Sequence, residues 1–130
     1  MPKYASFPKM GKCGKARKIK ENQHIRRNAN MIKILFICHG NICRSPMAEF
    51  IMKDLVEKAG LEGEFQIASA ATSMEEYGNP IYPPARRKLQ EHGISSEGHR
   101  ARRMERRDYQ DYDYLIGMDT TISAICCRRL

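Results

Sequence analysis

From position 31 onward, short apolar runs alternate with stretches of helical period. Ile32–Ile37 is short, apolar and Ile-rich, the mark of a buried strand. In 46–59, Met47, Phe50, Ile51, Leu55 and Ala59 recur near the 3.6 period, which predicts a helix. Pro46 suits its first turn and Gly60 its stop. Phe65–Ala70 reads as a second strand. A loop carrying Gly78, Asn79, Pro80, Pro83 and Pro84 follows, then a short helix over 85–92 ending at Gly93. Another short helix is expected over 104–109, a third strand over 112–118 and a helix from Thr120. Such alternation predicts an α/β fold, an open parallel sheet with helices on both faces and right-handed crossovers.

Residues 1–30 lack any hydrophobic period. They hold nine of the 23 Lys and Arg and one of the 15 Asp and Glu, leaving fourteen of each sign in 31–130. The formal net charge of +8 therefore belongs to a leader, expected to be disordered, and the ordered domain is expected over 31–130 with Met31 as its natural start. A neutral domain argues against nucleic acid as partner. No apolar run reaches the roughly 20 residues of a membrane span. Five cysteines without a secretory leader argue against a disulfide framework and for a reducing, cytoplasmic setting.

Chemistry concentrates in Cys38-His39-Gly40-Asn41-Ile42-Cys43-Arg44-Ser45-Pro46, between the first strand and the first helix. In an open parallel sheet this is where ligands bind, at a strand's carboxyl end facing a helix N-terminus. The unpaired N–H groups and partial positive charge there suit an oxyanion. Gly40 and Asn41 tolerate the left-handed backbone of a tight loop. The Gly-Lys-Ser/Thr ending of a Walker loop is missing. Cys38 at the loop's base is placed for nucleophilic attack, and Arg44, six residues on, for a bidentate grip on phosphate. Ser45 can donate to the thiolate and improve it as a leaving group. The implied chemistry is attack by Cys38 on phosphorus and hydrolysis of the cysteinyl phosphate, with no metal and no cofactor.

This string resembles the signature of the low-molecular-weight protein tyrosine phosphatases. The resemblance continues through Met47-Ala48-Glu49, Ser69-Ala70-Ala71-Thr72-Ser73, Gly78-Asn79-Pro80, His92-Gly93-Ile94, His99 with Ala101-Arg102, and Asp113-Tyr114-Leu115-Ile116 before Met118-Asp119. It implies phosphatase-I-like architecture and hydrolysis of phosphotyrosine monoesters, on proteins or small aryl phosphates, with inorganic phosphate or another oxyanion as ligand. Cys38 would be nucleophile and Arg44 the phosphate binder. His39, Gly40, Asn41, Ile42 and Cys43 would wrap the phosphate, and Asn41, Ser45, Ser69 and His99 would shape the loop. Cys43 reads equally as a redox guard for Cys38 and as a small residue packed behind the loop. The family's general acid is an Asp in an Asp-Pro pair, and no Asp-Pro occurs in these 130 residues. The resemblance thus implies a domain lacking the fourth strand and final helix, with phosphotyrosine turnover slowed by roughly 10² to 10⁴ for want of a proton donor. Three rivals remain open. They are an arsenate reductase of the same fold with Cys126 and Cys127 as relay thiols, an arginine phosphatase, and an oxyanion- or phosphotyrosine-binding fragment without turnover. In the arginine-specific branch the residue before the second loop Cys is typically Thr; Ile42 favours tyrosine.

Overall fold

The computed structural model describes residues 31–128; the expected basic leader lies outside them. Strand β1 (Ile32–Cys38) leads into helix α1 (Arg44–Lys58), then β2 (Phe65–Ala71), α2 (Pro83–Glu91), the four-residue α3 (Asp108–Asp111), β3 (Tyr114–Gly117) and α4 (Thr120–Arg128). The three strands form one parallel sheet in the order β2-β1-β3. The most apolar strand therefore lies in the centre, where both of its faces are covered.

Strand pleating sorts the side chains onto two faces. Leu35 and Ile37 join Ala70, Met104, Ile122 and Cys126 in one buried cluster, closed by α4. Ser69, paired in register with Phe36, points the other way and reaches Glu49 on α1. Helices thus cover both faces, as the alternation predicts. Full burial of Leu35 and Ile37 contributes about 1.5–3 kcal/mol each.

Several boundaries depart from the sequence pattern. Helix α1 starts two residues before Pro46, because the first turn needs no N–H donor and Pro46 fits its third position. Its stripe is also rotated. Leu55 is 57% exposed and Ile51 40%, while Ser45 and Glu49 are buried. The buried face of α1 carries polar residues because it faces the loop described below. The helix expected over 104–109 forms instead as α3 over Asp108–Asp111. Asp108 sets that start: its carboxylate accepts from the Glu105 N–H at 2.7 Å and from both ends of the Arg102 guanidinium at 2.9 and 3.1 Å. Strand β3 is shorter than expected. Asp113 still donates its N–H to the Lys33 carbonyl at 2.9 Å, but its side chain accepts the Lys33 N–H at 2.9 Å, so the regular ladder begins only at Tyr114. Cys127 is disulfide-bonded, so the cysteine count does not exclude a bridge. No helix among the described residues is long and apolar enough to cross a membrane.

Candidate active site

The turn from β1 into α1 encloses a small bowl at the carboxyl edge of the sheet. Asn41 alone among the described non-glycine residues has positive φ, 59°, and is fully buried. This left-handed residue reverses the chain so that its own N–H returns to Cys38 Sγ at 3.2 Å. Among the described residues, the backbone N–H groups of His39, Gly40, Ile42, Cys43 and Arg44 have no hydrogen-bond acceptor. Unspent amides at a helix start form an anion cradle.

The side chain of Asn41 organises the rest, and its hydrogen bonds have a fixed direction. Its Oδ1 accepts the Arg102 N–H at 3.1 Å, so its amide nitrogen must face the other way. That nitrogen donates to Ser45 Oγ and Ser69 Oγ, both at 2.8 Å. Ser69 in turn donates to the carboxylate of Glu49, which can only accept when ionised. Ser45 Oγ accepts the Asn41 hydrogen bond and turns its own hydrogen to the Cys38 sulfur at 2.9 Å, nearer than the Ala70 carbonyl at 3.5 Å. The relay from Glu49 through Ser69, Asn41 and Ser45 thus ends with a hydroxyl aimed at sulfur. His99 Nε2 bonds the Asn41 carbonyl at 2.8 Å and holds the reversal from outside. Its ring stands edge-on to Phe50, with centroids 6.1 Å apart. Lys53 neutralises Glu49 at 2.6 Å.

Arg44, the first residue of α1, is half exposed and spends one guanidinium nitrogen on Asp119 Oδ2 at 2.5 Å. Asp119 also caps α4, accepting the Ile122 N–H at 2.8 Å. That backbone bond, and then the Arg44 guanidinium, hold its carboxyl below the ordinary carboxylate range. Gly117 permits this arrangement, since a Cβ there would lie 2.5 Å from Ser123 Oγ and 2.9 Å from its backbone nitrogen. The segment after β2 closes the far side of the bowl. Ser73 donates its N–H and its hydroxyl to the His39 carbonyl at 3.1 and 2.9 Å, and Tyr82 donates its N–H to the Ile42 carbonyl at 2.8 Å.

The residues named for phosphate binding and attack meet in one place, Cys38 through Ser45 on the loop with Ser69 and His99 behind it, while Cys126 lies apart in the core. The family model described as "Low molecular weight phosphotyrosine protein phosphatase" matches residues 33–130. The chain belongs to that family. A low molecular weight protein-tyrosine-phosphatase of Bacillus subtilis is 47% identical over 89 residues, covering 68% of this chain and 57% of the relative. The crystal structure of YfkJ from Bacillus subtilis superposes with a TM-score of 0.76 at 41% identity, over 79% of this chain and 65% of that one. A Drosophila arginine phosphatase superposes with a TM-score of 0.66 at 36% identity, over 69% of this chain and 56% of that one. The chain spans less than three fifths of the length of the curated relatives it matches.

Sequence reasoning missed three participants. Glu49 terminates the relay, and the signal for it is a carboxylate four residues after Ser45 on the same helix face. The pairing of Asp119 with Arg44 joins residues 75 positions apart, and the main-chain N–H of Arg102 carries no sequence signal at all.

Proposed function

We propose that this chain hydrolyses aryl phosphate monoesters, phosphotyrosine in proteins above all, in the cytoplasm, with residues 31–130 as the catalytic unit. The observation that carries this reading is the Cys38 sulfur, which receives the Ser45 hydroxyl and the Asn41 N–H at the floor of an unspent amide cradle. A phosphoryl group seated there would find its equatorial oxygens among loop N–H groups and the Arg44 guanidinium, donors that follow its charge into the transition state. In the first step the Cys38 thiolate forms the S–P bond and the aryl O–P bond breaks, the phenolate leaving with its electron pair. In the second, water adds to phosphorus, the S–P bond breaks and phosphate departs. The Ser45 hydroxyl then stabilises the sulfur anion as it is released.

Asp119 is a poor proton donor for the leaving phenol, because the Ile122 N–H and Arg44 both favour its ionised form. With no Asp-Pro pair in these residues, the rate of the 130-residue chain should depend steeply on leaving-group acidity. Ile42 has no hydroxyl to bond a guanidinium, which supports tyrosine over arginine as the phosphorylated residue. Cys126 packs in the core against Met104, with its sulfur 3.8 Å from the Met104 sulfur, a structural setting that does not support relay chemistry with Cys38. The test is p-nitrophenyl phosphate hydrolysis by the chain and by Cys38→Ser. Turnover inhibited by vanadate and abolished in the variant is expected. Equal rates in both would remove Cys38 from the reaction, and phosphate binding without release of nitrophenol would favour the binding fragment.

A further inference from the structure

The outer lip of the bowl carries a charge pattern that the chemistry of phosphoryl transfer does not require. The stretch 73–79 is clamped to the loop through the two Ser73 bonds to the His39 carbonyl. It brings two carboxylates over the loop's first turn. Glu75 Oε2 lies 2.9 Å from His39 Nε2, with both side chains mostly exposed, at 70% and 54%. Glu76 lies along Gly40, where a Cβ would come within 3.2 Å of its Cγ, and its carboxylate accepts from Asn79 Nδ2 at 2.7 Å. Neither carboxylate pairs with a lysine or arginine among the described residues. Arg44, the cation of the loop, is turned toward Asp119. The lip is therefore acidic whether or not His39 carries a proton, while the floor beneath it attracts anions.

We infer that Glu75 and Glu76, with His39 holding Glu75 over the loop, select phosphotyrosine flanked by basic residues and disfavour acidic flanks. The inference rests on the phosphatase reading and names the peptide class it serves. A phosphotyrosine side chain reaching the floor leaves its neighbours in the peptide at the level of the lip. Across water at roughly 7 Å, one charge pair is worth about a threefold effect, so two flanking lysines should gain roughly tenfold over two flanking alanines, and two flanking glutamates should lose about as much. Such a preference is screened by salt because both carboxylates face solvent.

The experiment compares phosphotyrosine hexapeptides bearing Lys, Ala or Glu on both sides, at 20 mM and 500 mM NaCl, on the full chain and on the Glu75→Gln/Glu76→Gln variant. The kcat/KM order Lys over Ala over Glu is expected, with each step roughly tenfold at low salt, under about twofold at high salt, and under about twofold in the variant at both. Acidic peptides used equally well, or a spread that survives in the variant, would overturn it. Parallel binding of the same peptides to Cys38→Ser, followed by fluorescence anisotropy, separates the two claims. Failure of p-nitrophenyl phosphate to turn over refutes the phosphatase reading, while the lip is still judged by the peptide binding order. Absence of peptide binding overturns both.

Discussion

Replacing Ser45 by Ala removes one hydroxyl, and with it both the hydrogen bond to sulfur and the acceptor of one Asn41 N–H. When Cys38 is a thiolate the Ser45 hydroxyl must be the donor of their 2.9 Å bond, a much closer partner than the Ala70 carbonyl at 3.5 Å, while its oxygen accepts from Asn41. A hydrogen bond to a charged group contributes about 1.5–3 kcal/mol. Its loss while Cys38 leaves phosphorus should slow dephosphorylation about 10- to 150-fold. Attack gains from a less stabilised thiolate part of what the loss costs in thiolate population, so the first step should change far less. Stopped-flow mixing with p-nitrophenyl phosphate reads both steps. Ser45→Ala should show a clear burst of nitrophenol followed by a slow steady state, with phosphorylated Cys38 recovered after acid quench. Asn41→Asp is the control on direction: a carboxylate cannot donate to Ser45, which then turns its hydrogen toward residue 41, and the same burst should appear. Equal slowing of both phases, or an unchanged steady state in Ser45→Ala, would refute the relay.

Three further outcomes are expected. Arg44→Lys keeps the charge but loses the planar fork, so kcat/KM for aryl phosphates should fall at least about a hundredfold; near-native rates would exclude Arg44 from the transition state. Gly117→Ala forces β3 and the start of α4 apart and should lower stability by about 1–3 kcal/mol in urea titrations, since the Ser123 backbone cannot give way as a side-chain tip can. The Asp119 pKa is depressed in the fold, so its contribution is complete above the ordinary carboxylate pKa and is lost as pH falls through the depressed value. The thermal midpoint should therefore decline on acidification below about pH 4, and part of that slope should vanish in Asp119→Asn.

The fold was legible where local pattern and tertiary demand agree. The Ile32–Ile37 run announces a central strand because its four consecutive apolar residues, Ile34–Ile37, need a core on both faces of the sheet. Its continuation through Cys38, Gly40 and Asn41 announces a ligand loop, because Asn41 tolerates the left-handed turn that closes it; Gly40, the other expected left-handed residue, keeps an ordinary backbone and instead gives room to Glu76. The face of α1 was misread for the opposite reason. Periodicity counts apolar side chains, whereas this helix buries Ser45 and Glu49, which are placed by the Asn41 amide and by β2, Glu49 through Ser69, 20 positions on, and Ser45 beside the Ala70 carbonyl, 25 positions on. The shift of α3 follows from a single side chain, Asp108, that recruits Arg102 and the Glu105 N–H. Side chain-to-backbone bonds of that kind leave no period to read.

Asn41 is held by chain segments far from it in sequence, at Ser69, His99 and Arg102. The loop therefore has no autonomous existence. A brief local opening of 99–102 removes two of its struts at once, and the amide cradle disperses with them. Binding of phosphate or vanadate must then be linked by mass action to closure of that distant segment, raising the free energy of opening by RT ln(1 + [L]/Kd). Oxyanion at a hundred times its Kd should thus slow deuterium uptake at the Arg102 amide by up to about a hundredfold, without touching that residue.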